Sequence, residues 1–285
     1  MDQLPNETPE IEPMGPQPYV LFLGRLSEEK GLRWLLETFQ SPRLPLKLLI
    51  AGKGPVSATS PPKPLAGKIV LVDPGHNGRN FTDPSEIDKL VPAGGFMKPC
   101  NTTGTAADSG YTEAAFSFDV AIRLAALLRS EGATVVMTRT NNTGVGPCVN
   151  VRAAIGNRAH ADAGIAIHAD GFASYGHGFQ VIEPALIPGY NTSALVTSSA
   201  RLGQILDDAL ASASGLTPST YIGKDGIDVR SDLAGLNLAK FPMVFVECGN
   251  MKNPHDAALE QSPRWRERLA HVIAAALATF LSSQS

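Results

Sequence analysis

Three residues able to bind a metal or carry a proton close short aliphatic runs. Ile69–Val72 leads through Asp73-Pro74-Gly75 to His76, GIAIH at 164–168 ends on His168, and MVFVE at 243–247 ends on Glu247. Short apolar runs stopped by turn chemistry read as buried strands. In open α/β sheets, ligands bind beyond the carboxyl ends of the strands. A lone histidine is equally at home in a core or on a surface. Two at matching strand ends, with a carboxylate at a third, predict one convergent site. Catalytic zinc takes three nitrogen or oxygen ligands from the protein and leaves a fourth position to water. His76 and His168 supply two. Glu113 fits as the third, because it opens a long helical pattern at the end of the loop that His76 begins. Glu247 follows MVFV directly, where burial raises a carboxyl pKa unless a cation compensates. That placement suits a base for a metal-bound water, or else a carboxylate capping backbone amides around Gly249-Asn250.

The elements that must position these groups alternate between strand and helix. Strands are predicted at 68–73, 134–138, 164–168, 178–182 and 243–247. Helices are predicted at 113–129, from Asn150 as cap to about Ala159, at 193–213 and at 263–281, with a long loop over 77–110. This order implies a three-layer α/β domain on a twisted, mostly parallel sheet with helices on both faces. At 285 residues, with 43% hydrophobic content and mean hydropathy of -0.01, the chain can bury a sizeable core. A net charge of -3 gives no nucleic-acid signal. No apolar run reaches the roughly 18 residues of a membrane span.

The N-terminal part reads differently. Met1–Pro18, acidic and with five prolines, is expected to be disordered and is not a secretory signal. Residues 19–55 read as a small β-α-β appendage: strand 19–23, helix 32–39, strand 46–51. The loop between, with Arg25 and Lys30, resembles the start of the nucleotide-sugar-binding domain of family 4 glycosyltransferases, whose corresponding Arg and Lys meet sugar-nucleotide phosphates. The resemblance covers fewer than 40 residues, and one such unit buries too little apolar area to be an enzyme alone, so the segment is read as a fusion partner. A Ser/Pro-rich linker at 56–66 precedes a catalytic domain at 67–285.

DPGHNG at 73–78, Glu113 opening its helix, Asn157 with IAIHAD ending at Asp170, and VECGNMKN at 246–253 together resemble the zinc-dependent N-acetylmuramoyl-L-alanine amidases of the amidase 3 family. Cys100 in its loop, GPC at 146–148 and the stretch from Tyr221 to Ala239 resemble the small mycobacterial members in particular. The resemblance implies one Zn2+ held by His76, Glu113 and His168, with Glu247 as catalytic acid and base. It implies cleavage between muramic acid and L-alanine of the stem peptide. The expected partners are peptidoglycan or muropeptide fragments, outside the cytoplasm, with the protein a monomer. Asp170 stands where many relatives carry Asn, as a carboxylate beside His168 or a plain loop residue. Cys248 replaces an apolar residue or Gly and is read as a small buried side chain.

If the strands before Cys100 and Cys148 are parallel neighbours, their loops leave the same edge and a disulfide can join them. Closing so long a loop stabilises a fold by about 4 kcal/mol in the chain-entropy model, and persisting disulfides belong to oxidising compartments. Residues 230–239 are expected to line the groove, with Arg230, Asp232, Leu236 and Asn237 as substrate contacts; Arg79, His177 and Lys224 are further candidates for stem-peptide carboxylates. Rival readings are a non-catalytic peptidoglycan-binding module, a metallo-carboxypeptidase of related fold, and sugar transfer through Arg25 and Lys30.

Overall fold

The computed structural model describes residues 63–284 and, further toward the N-terminus, strands β1 (Tyr19–Leu23) and β2 (Lys47–Ala51). Contacts divide the chain into Met1–Pro62 and Lys63–Ser285. In the first unit β1 and β2 pair in parallel, from Tyr19 opposite Lys47 to Leu23 opposite Ala51. The expected disorder at 1–18, the helix at 32–39, Arg25, Lys30 and the first part of the linker lie outside the described residues. The packed chain of the second unit begins before residue 67. Leu65 is fully buried, and its amide donates to the Glu131 carbonyl at 3.0 Å.

The second unit is built on a six-stranded sheet. Its strands are β3 (Ile69–Pro74), β6 (Thr134–Met137), β7 (Ala163–Asp170), β8 (Gln180–Pro184), β9 (Ile227–Arg230) and β10 (Met243–Asn250), in the order β6-β3-β7-β10-β8-β9. β6, β3, β7 and β10 run parallel, and β8 pairs antiparallel with β10. Alternation along each strand sorts the core into two layers. Val70, Val72, Ile165, Ile167, Val244 and Val246 join the larger apolar cluster. Helices α2 (Glu113–Ser130), α4 (Ser193–Ala213) and α7 (Pro263–Ser282) cover that face. Leu71, Ala166, Met243 and Phe245 point the other way into a smaller cluster under α3 (Val149–Ala159) and α5 (Ala234–Leu238). By the same parity His168 and Glu247 belong to the smaller face, at its carboxyl edge.

Three local expectations need correction. The residue capping α3 is Cys148, with no side-chain bond, and Asn150 lies inside the first turn. The stretch 77–110 is not a bare loop. It holds a 3-10 turn at 80–82, the short helix α1 (Pro84–Ile87) and a hairpin of β4 (Leu90–Pro92) and β5 (Met97–Pro99). Three-residue strands with only half-buried or exposed side chains carry too little alternation to be read from sequence. Within 230–239, expected to line the groove, Arg230 ends β9 and residues 234–238 form α5, which buries Leu236 and Asn237. After β10 comes α6 (Pro254–Gln261), also unpredicted. Cys100 and Cys148 are bonded, 48 residues apart in sequence, and tie the hairpin segment to the start of α3. The third cysteine, Cys248, is buried and free. Among the described residues no helix is long and apolar enough to cross a membrane.

Candidate metal and catalytic site

His76 arrives at the sheet edge by a forced turn. Pro74 and Gly75 end β3, and His76 takes φ 57°, a left-handed conformation that costs a side-chain-bearing residue roughly 1–2 kcal/mol. Two buried arginines hold the turn by its carbonyls. Arg152 donates to Pro74 O and His76 O, each at 2.7 Å, and pairs with Asp73 Oδ1 at 2.6 Å. Arg139 donates to Pro74 O, Gly75 O and Ala114 O at 2.9–3.0 Å. Burial and the neighbouring Arg152 push its guanidinium down to about 9. Neither arginine carries a signal in the sequence, because the turn carbonyls that each grips, and the Asp73 carboxylate of Arg152, lie far away along the chain.

Glu113 is the first residue of α2, whose N-cap Thr112 accepts from the Ala115 amide. A helix N-terminus favours a carboxylate. Glu113 Oε1 lies 3.0 Å from His76 Nε2 and 2.8 Å from His168 Nδ1, while Oε2 accepts from the Thr105 amide at 3.0 Å. Burial alone would raise this carboxyl, but the charges and hydrogen bonds of the two imidazoles hold it well below the usual carboxylate range. Burial works against a charged His76 ring, and Glu113 outweighs it, so the His76 pKa is raised.

The other nitrogen of His76 shows what this cluster fits. His76 Nδ1 sits 3.0 Å from the Thr102 carbonyl oxygen, which only accepts, and 3.2 Å from the Thr102 hydroxyl; the shorter contact to the carbonyl favours a proton on Nδ1. In the neutral ring Nε2 then presents a bare lone pair to a carboxylate oxygen. Two acceptors at that distance require a cation between them: a proton in the bare protein, or a metal. A tetrahedral zinc with N/O bonds of about 2.0–2.1 Å separates its ligand atoms by roughly 3.3 Å, wider than the 2.8 and 3.0 Å seen, so the three side chains would spread slightly to admit it. The donor set His, Glu, His fits zinc, and the His76–carbonyl bond is the support that metal-binding imidazoles commonly have.

Glu247 and His168 are partners across the β10–β7 ladder, so the carboxylate stands one strand away from the cluster. The register slips between Glu247 and Asn250, a bulge of the kind that re-aims side chains beside active sites. Glu247 Oε2 is buried with no hydrogen-bond partner. Burial pushes its carboxyl up to about 8, with further push from Glu113 and Asp170 and against the opposing pull of His168 and Arg230. A cation at the neighbouring cluster would lower it again.

A cavity of about 480 Å³ opens over these groups, and His76, Glu113, His168, Asp170 and Glu247 all line it. Its wall includes Lys98 from the hairpin, Thr102, Arg152, Leu233, Gly235 and Phe245, on which the His168 ring stacks. The expected substrate contacts fall elsewhere. Leu236 and Asn237 are buried, and Asn237 donates to Ala93 O and Ser231 O. Arg230 and Asp232 form a two-pronged ion pair with each other; the Arg230 charge still acts on Glu247, and the Asp232 carbonyl accepts from Lys98 Nζ at 2.9 Å. Arg79, His177 and Lys224 are not among the lining residues. Asp170 makes no bond to His168; it accepts from Tyr221 Oη at 2.9 Å.

Gly75 and Gly104 are small because the cluster needs the room. A Cβ on Gly75 would lie 2.4–2.7 Å from three atoms of the His168 ring, and one on Gly104 2.7 Å from Glu113 Oε2. Gly75→Ala is therefore expected to displace His168 and weaken zinc binding by about 10–100-fold, read by competition with a chromophoric chelator. Unchanged affinity would show that the ring has slack.

A family model described as N-acetylmuramoyl-L-alanine amidase matches residues 70–279. The N-acetylmuramoyl-L-alanine amidase Rv3717 of Mycobacterium tuberculosis is 40% identical over 240 residues, 83% of this chain and 97% of that protein. Among solved structures, the N-acetylmuramyl-L-alanine amidase Ami1 of Mycobacterium smegmatis superposes with TM-score 0.72 at 44% identity, covering 77% of this chain and 99% of that one. The apo form of Ami1 from Mycobacterium abscessus gives 0.71 at 42% identity, over 76% and 100%.

Proposed function

Since the chain belongs to the N-acetylmuramoyl-L-alanine amidase family, we propose that its cavity cleaves the amide joining muramic acid to L-alanine in peptidoglycan, with His76, Glu113 and His168 holding one zinc ion and Glu247 moving the proton. The observation that carries this reading is one Glu113 oxygen held 3.0 Å from His76 Nε2 and 2.8 Å from His168 Nδ1, with a Glu247 oxygen free of hydrogen bonds one strand away. Zinc bound there supplies Lewis acidity toward water and toward the scissile carbonyl.

The chain's own residues do the rest. Thr102 fixes the His76 tautomer and Phe245 backs the His168 ring. Glu247, with no competing hydrogen bond on Oε2, takes a proton from the attacking water and delivers it to the departing alanine nitrogen. A module that only bound peptidoglycan would have no use for such a base. The disulfide and a cell-wall substrate both favour work outside the cytoplasm.

Incubating the full chain with muropeptides, with and without a chelator, tests the reading. The expected result is release of peptides beginning with free L-alanine, abolished by chelation and restored by zinc. Cleavage that persists in chelator would remove the metal from the mechanism. Release of a C-terminal residue instead would make the protein a carboxypeptidase.

A further inference from the structure

Beside the cavity lies an aromatic patch that the hydrolytic chemistry does not use. The cavity wall runs through Asp170 and Gly171, and the next residue is Phe172. The Phe172 ring lies flat on Tyr221, with centroids 4.3 Å apart and planes 3° from parallel, and meets Tyr175 edge-on at 5.6 Å. The stack is anchored to the cavity by the bond from Tyr221 Oη to Asp170. It also depends on a glycine, since a Cβ on Gly176 would fall 2.6 Å from Tyr221 and 2.7 Å from Phe172. Phe172 is still 37% exposed and Tyr175 77% exposed. Clustered exposed aromatics rimming a cleft mark binding surfaces more often than scattered ones do.

The substrate's connectivity identifies the occupant. The scissile amide belongs to a lactyl group carried on the muramic acid ring. When its carbonyl sits among His76, His168 and Glu247, a pyranose must lie within a lactyl group's length of the cavity, and the glycan continues outward from there. A pyranose presents a flat face of C–H groups that packs on an aromatic ring while its hydroxyls stay in water. The carboxylates of a stem peptide gain nothing from that surface, because an aromatic face is itself electronegative. Resting on the amidase reading, we propose that Phe172, Tyr175 and Tyr221 form a subsite for the glycan strand flanking the muramic unit.

Titrating the full chain with a peptide-free tetrasaccharide of alternating N-acetylglucosamine and N-acetylmuramic acid tests this, by calorimetry or ligand-observed NMR. The wild type should bind, Tyr175→Phe should bind comparably, and Tyr175→Ala should bind ~tenfold more weakly, a loss equivalent to about 1.4 kcal/mol. Tyr175 is exposed enough for the alanine variant to fold, which its thermal unfolding will check. Equal affinity of Tyr175→Ala and wild type overturns the proposal, as does absence of wild-type binding. Binding of the free stem tripeptide that depends on Tyr175, without glycan binding, also overturns it. The assay reads no cleavage. A chain that binds the glycan but cleaves no muropeptide therefore sinks the amidase reading alone, and one that cleaves muropeptides but ignores the glycan sinks the subsite alone.

Discussion

Glu247→Ala is expected to keep its zinc and lose turnover by about 10²–10⁴-fold, the range that a positioned general acid–base supplies. The two halves of this result have separate origins. His76, Glu113 and His168 contact one another and are supported by Thr102, Thr105 and Phe245, none of which Glu247 touches through a hydrogen bond. Removing its carboxylate therefore leaves the ligand atoms where they are. The water and the leaving nitrogen lose the one cavity carboxylate oxygen that is buried yet free of hydrogen bonds. Metal content by elemental analysis and kcat on a defined muropeptide check the two halves independently. Near-normal kcat would exclude Glu247 from the reaction, and loss of zinc together with activity would make it a ligand.

Arg152→Ala should destabilise the metal-free protein by about 3–5 kcal/mol, the scale for removing one member of a buried ion pair. In a domain of this size that lowers Tm by roughly 10 °C. Arg152 is buried and bonds Asp73, Pro74 O and His76 O at 2.6–2.7 Å, with Pro147 O at 2.9 Å. Without it the buried Asp73 keeps only its bond from Thr138 Oγ1, and the left-handed turn at His76 loses its clamp. Arg152→Lys should recover little, because a single ammonium cannot span the acceptors that the guanidinium fork reaches. Chemical denaturation of the apo protein measures both variants. A loss below about 1 kcal/mol would mean that the turn stands without the arginine.

The strand-borne part of the site is legible in the sequence because burial and function write the same signal there. Aliphatic runs mark β3, β7 and β10, and a histidine or carboxylate at the end of such a run conflicts with burial unless it has a task. The walls are not legible in that way. Residues 230–239 read as lining the groove with Leu236 and Asn237 toward substrate, whereas Leu233 and Gly235 are the ones at the cavity. Gly235 lets α5 settle on the Phe245 ring, where a Cβ would come within 2.8 Å, and this buries Leu236 and Asn237. The side chains of Arg139 and Arg152 grip carbonyls, and carbonyls are identical in every residue. Lys98 lines the cavity only because a hairpin of two three-residue strands carries it there. Phe172 and Tyr221 meet across 49 residues of chain, a distance that no local pattern bridges.

Glu247 and His168 face each other as rungs of one parallel ladder. The gap between the proposed proton carrier and the proposed ligand is thus an interstrand spacing, set by main-chain bonding rather than by any loop. Insertions or replacements in the hairpin, in the aromatic patch or before α5 can reshape the cavity rim while Glu247 and His168 stay in step. A single-residue insertion within β10 would do the opposite, turning the carboxylate toward the three-helix side of the sheet. Engineers seeking altered wall specificity therefore have the whole rim to redesign, and one strand they must leave alone.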